Sequence, residues 1–187
     1  IKIMLDVISA DEGEVTIFGT SAREAVARKG VAYVPEAPAL YEQLSGRENL
    51  LIFGALYGVP QGELAGRVDA VLTTLGLRER AADKAGGYSK GMKQRLVIAR
   101  ALVHQPEILF LDEPTAGLDP LSRRAFWDLL YELADGGTTI LVTTHYMDEA
   151  EHCHRLAFIH RGRIVAEDTP EEIKLREMRG QVLEIDC

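Results

Sequence analysis

The stretch ILFLDEPTAGLDP, residues 108–120, decides the fold of this chain. Four consecutive apolar residues, Ile108, Leu109, Phe110 and Leu111, run straight into two acids, Asp112 and Glu113. A short unbroken apolar run reads as a strand covered on both faces, the pattern of a parallel sheet. In open α/β sheets ligands bind beyond the carboxyl ends of the strands, so that end delivers Asp112 and Glu113 into a site. One carboxylate to hold a divalent cation and one to polarise a water are what nucleotide hydrolysis requires, Asp112 in the first role and Glu113 in the second. The bland alternative is a strand edge with two solvated carboxylates.

Working outward, Pro120 suits the first position of a helix running through Leu133, and Gly136-Gly137 ends it. Thr138 to Thr144 is then a β-branched strand ending at His145. Leu156 to His160 and Arg163 to Ala166, around Arg161-Gly162, predict a hairpin, with a helix from Pro170. Upstream, Met92, Leu96, Ala99 and Val103 fall on one helical face between Ser89, a candidate N-cap, and Pro106. Residues 46–84 carry helices, clearest over 47–57 and 63–75. Val31 to Val34 is a strand stopped by Pro35 and Pro38, and Glu14 to Phe18 a short strand closed by Gly19. Ile1, Met4, Leu5 and Ile8 share one face of what reads as the end of an amphipathic helix. Strands alternating with helices around a mainly parallel core make the class α/β.

Composition narrows the function classes. The chain has 187 residues, 47% hydrophobic and 27% charged, enough for one substantial core with a small helical lobe. Its longest apolar stretch, residues 50–59, is broken by glycines and falls short of the roughly 18 residues that a membrane helix requires. Any membrane role therefore goes through a partner. No charged-then-apolar leader is present in these residues, so a cytosolic location is the expectation. Lys plus Arg is 21 against 29 Asp plus Glu, and the net charge of −8 opposes general attraction to nucleic acid or anionic lipid. Cys153 and Cys187 do not make a disulfide framework. His152-Cys153-His154 invites a metal reading, but neighbours in sequence point apart, and a buried small apolar cysteine is the simpler account.

Two further tracts accompany the acidic pair: YSKGMKQRL, residues 88–96, and LVTTHYMDEAE, residues 141–151. With their order and spacing they make the chain resemble an ATP-binding cassette ATPase, from the first residue to about Pro170. Within that family, the tyrosine-led signature, the LYEQLSGRENL segment and the THYMDEAE run look most like cassettes of drug, sodium or lipid exporters. The resemblance implies a P-loop NTPase-like fold, with a partial cassette over 1–170 containing a helical subdomain at about 40–100. Residues 171–187 would begin a C-terminal extension. A cassette needs a Gly-rich loop whose amides and lysine cradle phosphate, and no G-x-x-x-x-G-K-[ST] occurs in these 187 residues. The expectation is a fragment that starts just after this loop and is inactive alone. A naturally loop-less protein is the alternative.

The resemblance also assigns residues, with ATP and Mg2+ as cofactors. Asp112 is implied as the metal residue, with Glu113 as the catalytic base and His145 as the γ-phosphate contact that helps hold the attacking water. Glu36 stands where cassettes usually carry a glutamine that reaches the metal; as a plain residue it is a solvated loop acid. Ser89, Lys90, Gly91 and Met92 correspond to the signature, with Lys90 and Met92 departing from its commonest form. A hydroxyl and a close backbone at a helix N-terminus suit a phosphate, while Ser89 as an ordinary helix cap serves equally well. Asp119 ends the stretch Ala116–Asp119, which resembles the loop that in the family crosses the interface of a head-to-tail dimer; by itself its charge favours the start of the following helix.

The function so implied is the ATP-hydrolysing subunit of an exporter. It would lie peripherally on the cytoplasmic face of the cell membrane, with a transmembrane subunit and a second cassette as partners and no nucleic acid. A soluble cassette protein acting on ribosomes or DNA is the competing class.

Overall fold

The computed structural model describes residues 1–24, 29–37 and 40–177. Pro38, Cys187 and residues 178–187 of the expected extension lie outside them. The chain divides into two compact units, Ile1–Thr143 and Thr144–Cys187.

The first unit is built on a three-stranded parallel sheet in the order β3 (Val31–Val34), β4 (Ile108–Asp112), β5 (Thr139–Thr143). β4 is central, with Val34 opposite Leu111 and Asp112 opposite Thr143. The apolar run is covered on both faces as its pattern demands: Leu109 and Leu111 are fully buried and Phe110 nearly so. Phe110 joins a cluster with Ile17, Ala22 and Val31, against which Ile1, Met4, Leu5, Val15 and Tyr33 pack. α3 (Lys90–Leu102) packs against β3 and α4 (Pro120–Asp135) against β5.

Two helices occupy residues 46–74. α1 (Gly46–Leu56) begins with a capping box: Ser45 Oγ accepts from the Glu48 amide at 3.1 Å, and the Glu48 carboxylate accepts from the Ser45 amide at 2.7 Å. α2 (Gln61–Thr74) buries Leu64, Val68 and Leu72, one stripe at a spacing of four. Both pack on each other and on α3. Gly54 allows the close approach, since a Cβ there would strike Leu64 and Val103.

Two expectations are corrected. Residues 1–8 form successive turns, not the end of a helix. Leu5 bonds back to Ile1, but Asp6 turns to φ +57°, Val7 and Ile8 both bond to the Lys2 carbonyl, and Ile8 is 52% exposed. The strand expected over 14–18 shrinks to β1 (Thr16–Ile17), paired antiparallel with β2 (Thr20–Ser21). Phe18 and Gly19, at φ +52° and +74°, form the two-residue turn between them.

The second unit holds α5 (Met147–Ala150), the antiparallel hairpin β6 (Leu156–His160) and β7 (Arg163–Asp168), and α6 (Pro170–Glu177), which packs on β7. Arg161 and Gly162, at φ +49° and +74°, make the expected tight turn. Among the described residues no helix is long and apolar enough to cross a membrane.

Candidate active site

Asp112 is the last residue of β4, and its carboxylate is tied to both neighbouring strands. Thr143 Oγ1 donates to Oδ1 at 2.5 Å and the Tyr33 hydroxyl donates to Oδ2 at 3.2 Å. Burial, followed by the charge of Asp112, raises the Tyr33 phenol above its ordinary pKa, so it stays protonated and able to donate.

Glu113 follows at φ +48°, a left-handed conformation uncommon for a residue with a side chain. Its amide donates to the Thr143 carbonyl at 3.0 Å, and its carbonyl accepts from the Ala116 amide at 3.1 Å. The chain therefore turns sharply as soon as it leaves the sheet. Thr115 and Leu118 are buried in the following loop, and Gly117 adopts φ +68°.

That loop ends at Asp119, the N-cap of α4. Asp119 accepts from the Ser122 amide at 2.9 Å and from the Ser122 hydroxyl at 2.6 Å. These bonds, the side-chain one first, hold its carboxyl below the usual carboxylate range. Asp119 thus fills the cap position that its charge alone suggested.

Ser89 is likewise the N-cap of α3, its hydroxyl accepting from the Met92 amide at 3.2 Å. The first turns of α3 and α4 lie together: a Cβ on Gly91 would stand 3.3 Å from Ser122 Oγ, and the Lys90 ammonium fills the space beside Gly117. Met92 is half-buried. Tyr88, immediately before the cap, is buried in the helical lobe, where its hydroxyl donates to the Arg80 carbonyl at 2.6 Å.

The structure therefore brings Lys90 against Gly117 and Gly91 against Ser122, just past the Ser89 cap, while Asp112 and Glu113 lead into the loop that carries Gly117. Glu36 is exposed, two residues past the end of β3. His145 belongs to the second unit, where its ring packs on Tyr146 with centroids 4.2 Å apart. Beside it Thr144 Oγ1 accepts from the Tyr146 amide at 3.0 Å and donates to the buried carboxylate of Glu149 at 2.7 Å. Sequence reasoning missed the hydroxyls on Asp112 and the Lys90–Gly117 contact, both of which depend on strand register and helix packing. It also missed Ser45 and Glu48, which their S-x-x-E spacing does signal.

The family description "ABC transporter" matches residues 1–116. The chain belongs to the ABC transporter family. It is 41% identical over 188 residues to the Nod factor export ATP-binding protein I of Burkholderia thailandensis, covering 99% of this chain and 62% of that protein. It is 36% identical over 182 residues to the probable multidrug ABC transporter ATP-binding protein YbhF of Escherichia coli, covering 96% of this chain and 32% of that one. The chain thus spans about a third to three-fifths of the length of these relatives. Among solved structures, cbiO1 from Clostridium perfringens, part of the ABC transporter complex cbiONQ, superposes with a TM-score of 0.85 at 26% identity, over 94% of this chain and 73% of that one. An ATP binding subunit of another ABC transporter gives 0.79 at 31% identity, over 94% and 74%. The α/β fold with a parallel central sheet is that of the ABC cassettes.

Proposed function

We propose that the natural polypeptide carrying this chain binds ATP with Mg2+ and hydrolyses it to power an exporter, as the cytoplasmic ATPase subunit held at the membrane by a transmembrane subunit. The observation that carries the reading is the backbone at Glu113, φ +48° directly past the central strand. A side-chain-bearing residue in that region costs about 1–2 kcal/mol, a strain that persists where function requires an acid there.

Bound Mg2+ would neutralise charge on the phosphates. Each Asp112 oxygen accepts one hydrogen bond in this structure and keeps lone-pair capacity for a cation or its water. Among the described residues no three His, Cys, Asp or Glu side chains gather as a metal-holding group. Asp112 and Glu36 would offer carboxylate oxygens, the hard donors magnesium prefers, and the cation would take its remaining ligands from phosphate and water, which is how magnesium is usually held. Glu113 would orient the attacking water and accept its proton, and His145 would contact the γ-phosphate.

The N-terminus of α3 would meet ATP held by a second cassette in a head-to-tail dimer. Ser89 accepts from its own helix and keeps its hydroxyl hydrogen to donate, Gly91 would offer its backbone, and Lys90 and Met92 would flank the contact. Asp119 would carry the coupling between the two sites. The names of the relatives, Nod factor export and multidrug transport, favour export. Replacing Glu113 by Gln in the natural full-length polypeptide should leave binding of a fluorescent ATP analogue intact and lower steady-state hydrolysis by at least ~100-fold. Near-normal turnover would overturn the assignment.

A further inference from the structure

We infer that Tyr33 and Thr143 are positioning residues for Asp112, two hydroxyls on opposite neighbouring strands that fix the plane in which its carboxylate meets a divalent cation. The inference rests on the proposed reading of Asp112 as the cation-holding residue and deepens it.

Parallel pairing sets Tyr33 opposite Phe110 and Asp112 opposite Thr143. Side chains at paired positions share a face, as do residues two apart along a strand, so Tyr33, Phe110, Asp112 and Thr143 line one side of the sheet. Thr143 reaches the acid directly across the pair, and the longer Tyr33 reaches it from two residues further back along the strand. The two donors take different oxygens, Oδ1 and Oδ2, from different strands. The terminal torsion of an aspartate is broad and two-fold, so a carboxylate with a single donor swings easily. With both donors in place, rotation breaks at least one bond.

Packing does not require either hydroxyl. The Tyr33 ring lies against the cluster of Ile17, Ala22, Val31 and Phe110, where phenylalanine would pack as well. A β-branched valine suits a strand as threonine does. What the hydroxyls supply is orientation, and groups that orient a metal-holding carboxylate are typically worth 10- to 100-fold in metal affinity.

The test uses the natural full-length polypeptide loaded with ADP, reading Mn2+ binding by electron paramagnetic resonance and folding by thermal melting. Tyr33→Phe and Thr143→Val should each raise the Mn2+ dissociation constant about tenfold, with melting close to that of the parent. Thr143→Ser, which keeps the hydroxyl, should restore affinity. Asp112→Asn separates the two levels of the reading. If Asp112→Asn abolishes Mn2+ binding while Tyr33→Phe, Thr143→Val and their double variant bind like the parent, the positioning role is wrong and the reading of Asp112 stands. If Thr143→Ser is as defective as Thr143→Val, the hydroxyl is not the operative group and the inference falls. Unchanged Mn2+ binding in Asp112→Asn would overturn the inference together with the reading beneath it.

Discussion

The ammonium of Lys90 occupies the space that a side chain on Gly117 would need, setting the first turn of α3 against the loop that leads into α4. Two effects therefore oppose a larger residue at Gly117, and they differ in size. Lys90 is exposed and its far end can swing away at little cost. The backbone at φ +68° cannot be relieved so cheaply, and a Cβ in that region costs about 1–2 kcal/mol. Alanine recovers roughly 0.5–1 kcal/mol of the backbone entropy that glycine loses on folding, so Gly117→Ala should destabilise the fold by up to about 1 kcal/mol in urea titration. The loss should be nearly the same in a Lys90→Ala background, with a coupling below ~0.5 kcal/mol; a larger coupling would mean that the steric contact dominates.

At Gly46 the order is reversed. A Cβ there would strike the hydroxyl of Tyr88, which is buried and committed to the Arg80 carbonyl. Gly46→Ala should cost about 1–3 kcal/mol, as overpacking does, and Tyr88→Phe should rescue part of it by removing the struck atom. The same phenol gives the fold an alkaline limit. Burial, with help from the nearby Asp83 and against the opposing charge of Arg80, raises the Tyr88 pKa. A group whose folded pKa is raised contributes its stability fully below the unfolded value of about 10 and loses it as pH climbs toward the folded value. Denaturation midpoints should therefore fall above about pH 10, and Tyr88→Phe should flatten that limb.

Local chemistry made much of this chain legible. The run Ile108 to Leu111 ending in Asp112 and Glu113, the caps at Ser89 and Asp119, Pro120 at a helix start and the Arg161-Gly162 turn each announce themselves within a few residues. Residues 1–8 misled because four apolar positions at helical spacing do not by themselves sustain a helix, whose nucleation is costly. Asp6 takes a left-handed conformation where the helix would have to continue. The contacts between Tyr33 and Asp112, 79 residues apart, and between Lys90 and Gly117 follow from register and packing. No local pattern encodes them.

Ser89 carries two roles that one pair of variants separates. As the N-cap of α3 its oxygen satisfies the Met92 amide, and Ser89→Ala should cost about 1 kcal/mol of stability. Under the proposed function it also meets ATP held by the second cassette. Ser89→Arg in the full-length polypeptide would place bulk at that approach, so ATP-dependent dimerisation, measured by light scattering in a Glu113→Gln background, should fail while ATP affinity stays close to that of the parent. Normal dimerisation in that background, with normal turnover of Ser89→Arg alone, would leave Ser89 as a helix cap alone.

Glu113 sets stability against activity. Its φ of +48° is strained for any residue with a Cβ, at about 1–2 kcal/mol, whereas glycine adopts it without strain. Glycine in turn loses more backbone freedom on folding, a cost of roughly 0.5–1 kcal/mol. The difference favours the variant: Glu113→Gly should raise stability by up to about 1 kcal/mol, while hydrolysis falls as it does for Glu113→Gln. Glu113→Ala provides the control, since it removes the carboxylate but keeps the Cβ, and it should lose activity without the gain in stability. Urea titration and steady-state hydrolysis of the three variants would test both halves together. A Glu113→Ala protein as stable as Glu113→Gly would mean that the gain comes from removing the charge of the acid beside Asp112, and that the backbone conformation at the end of β4 stores no strain.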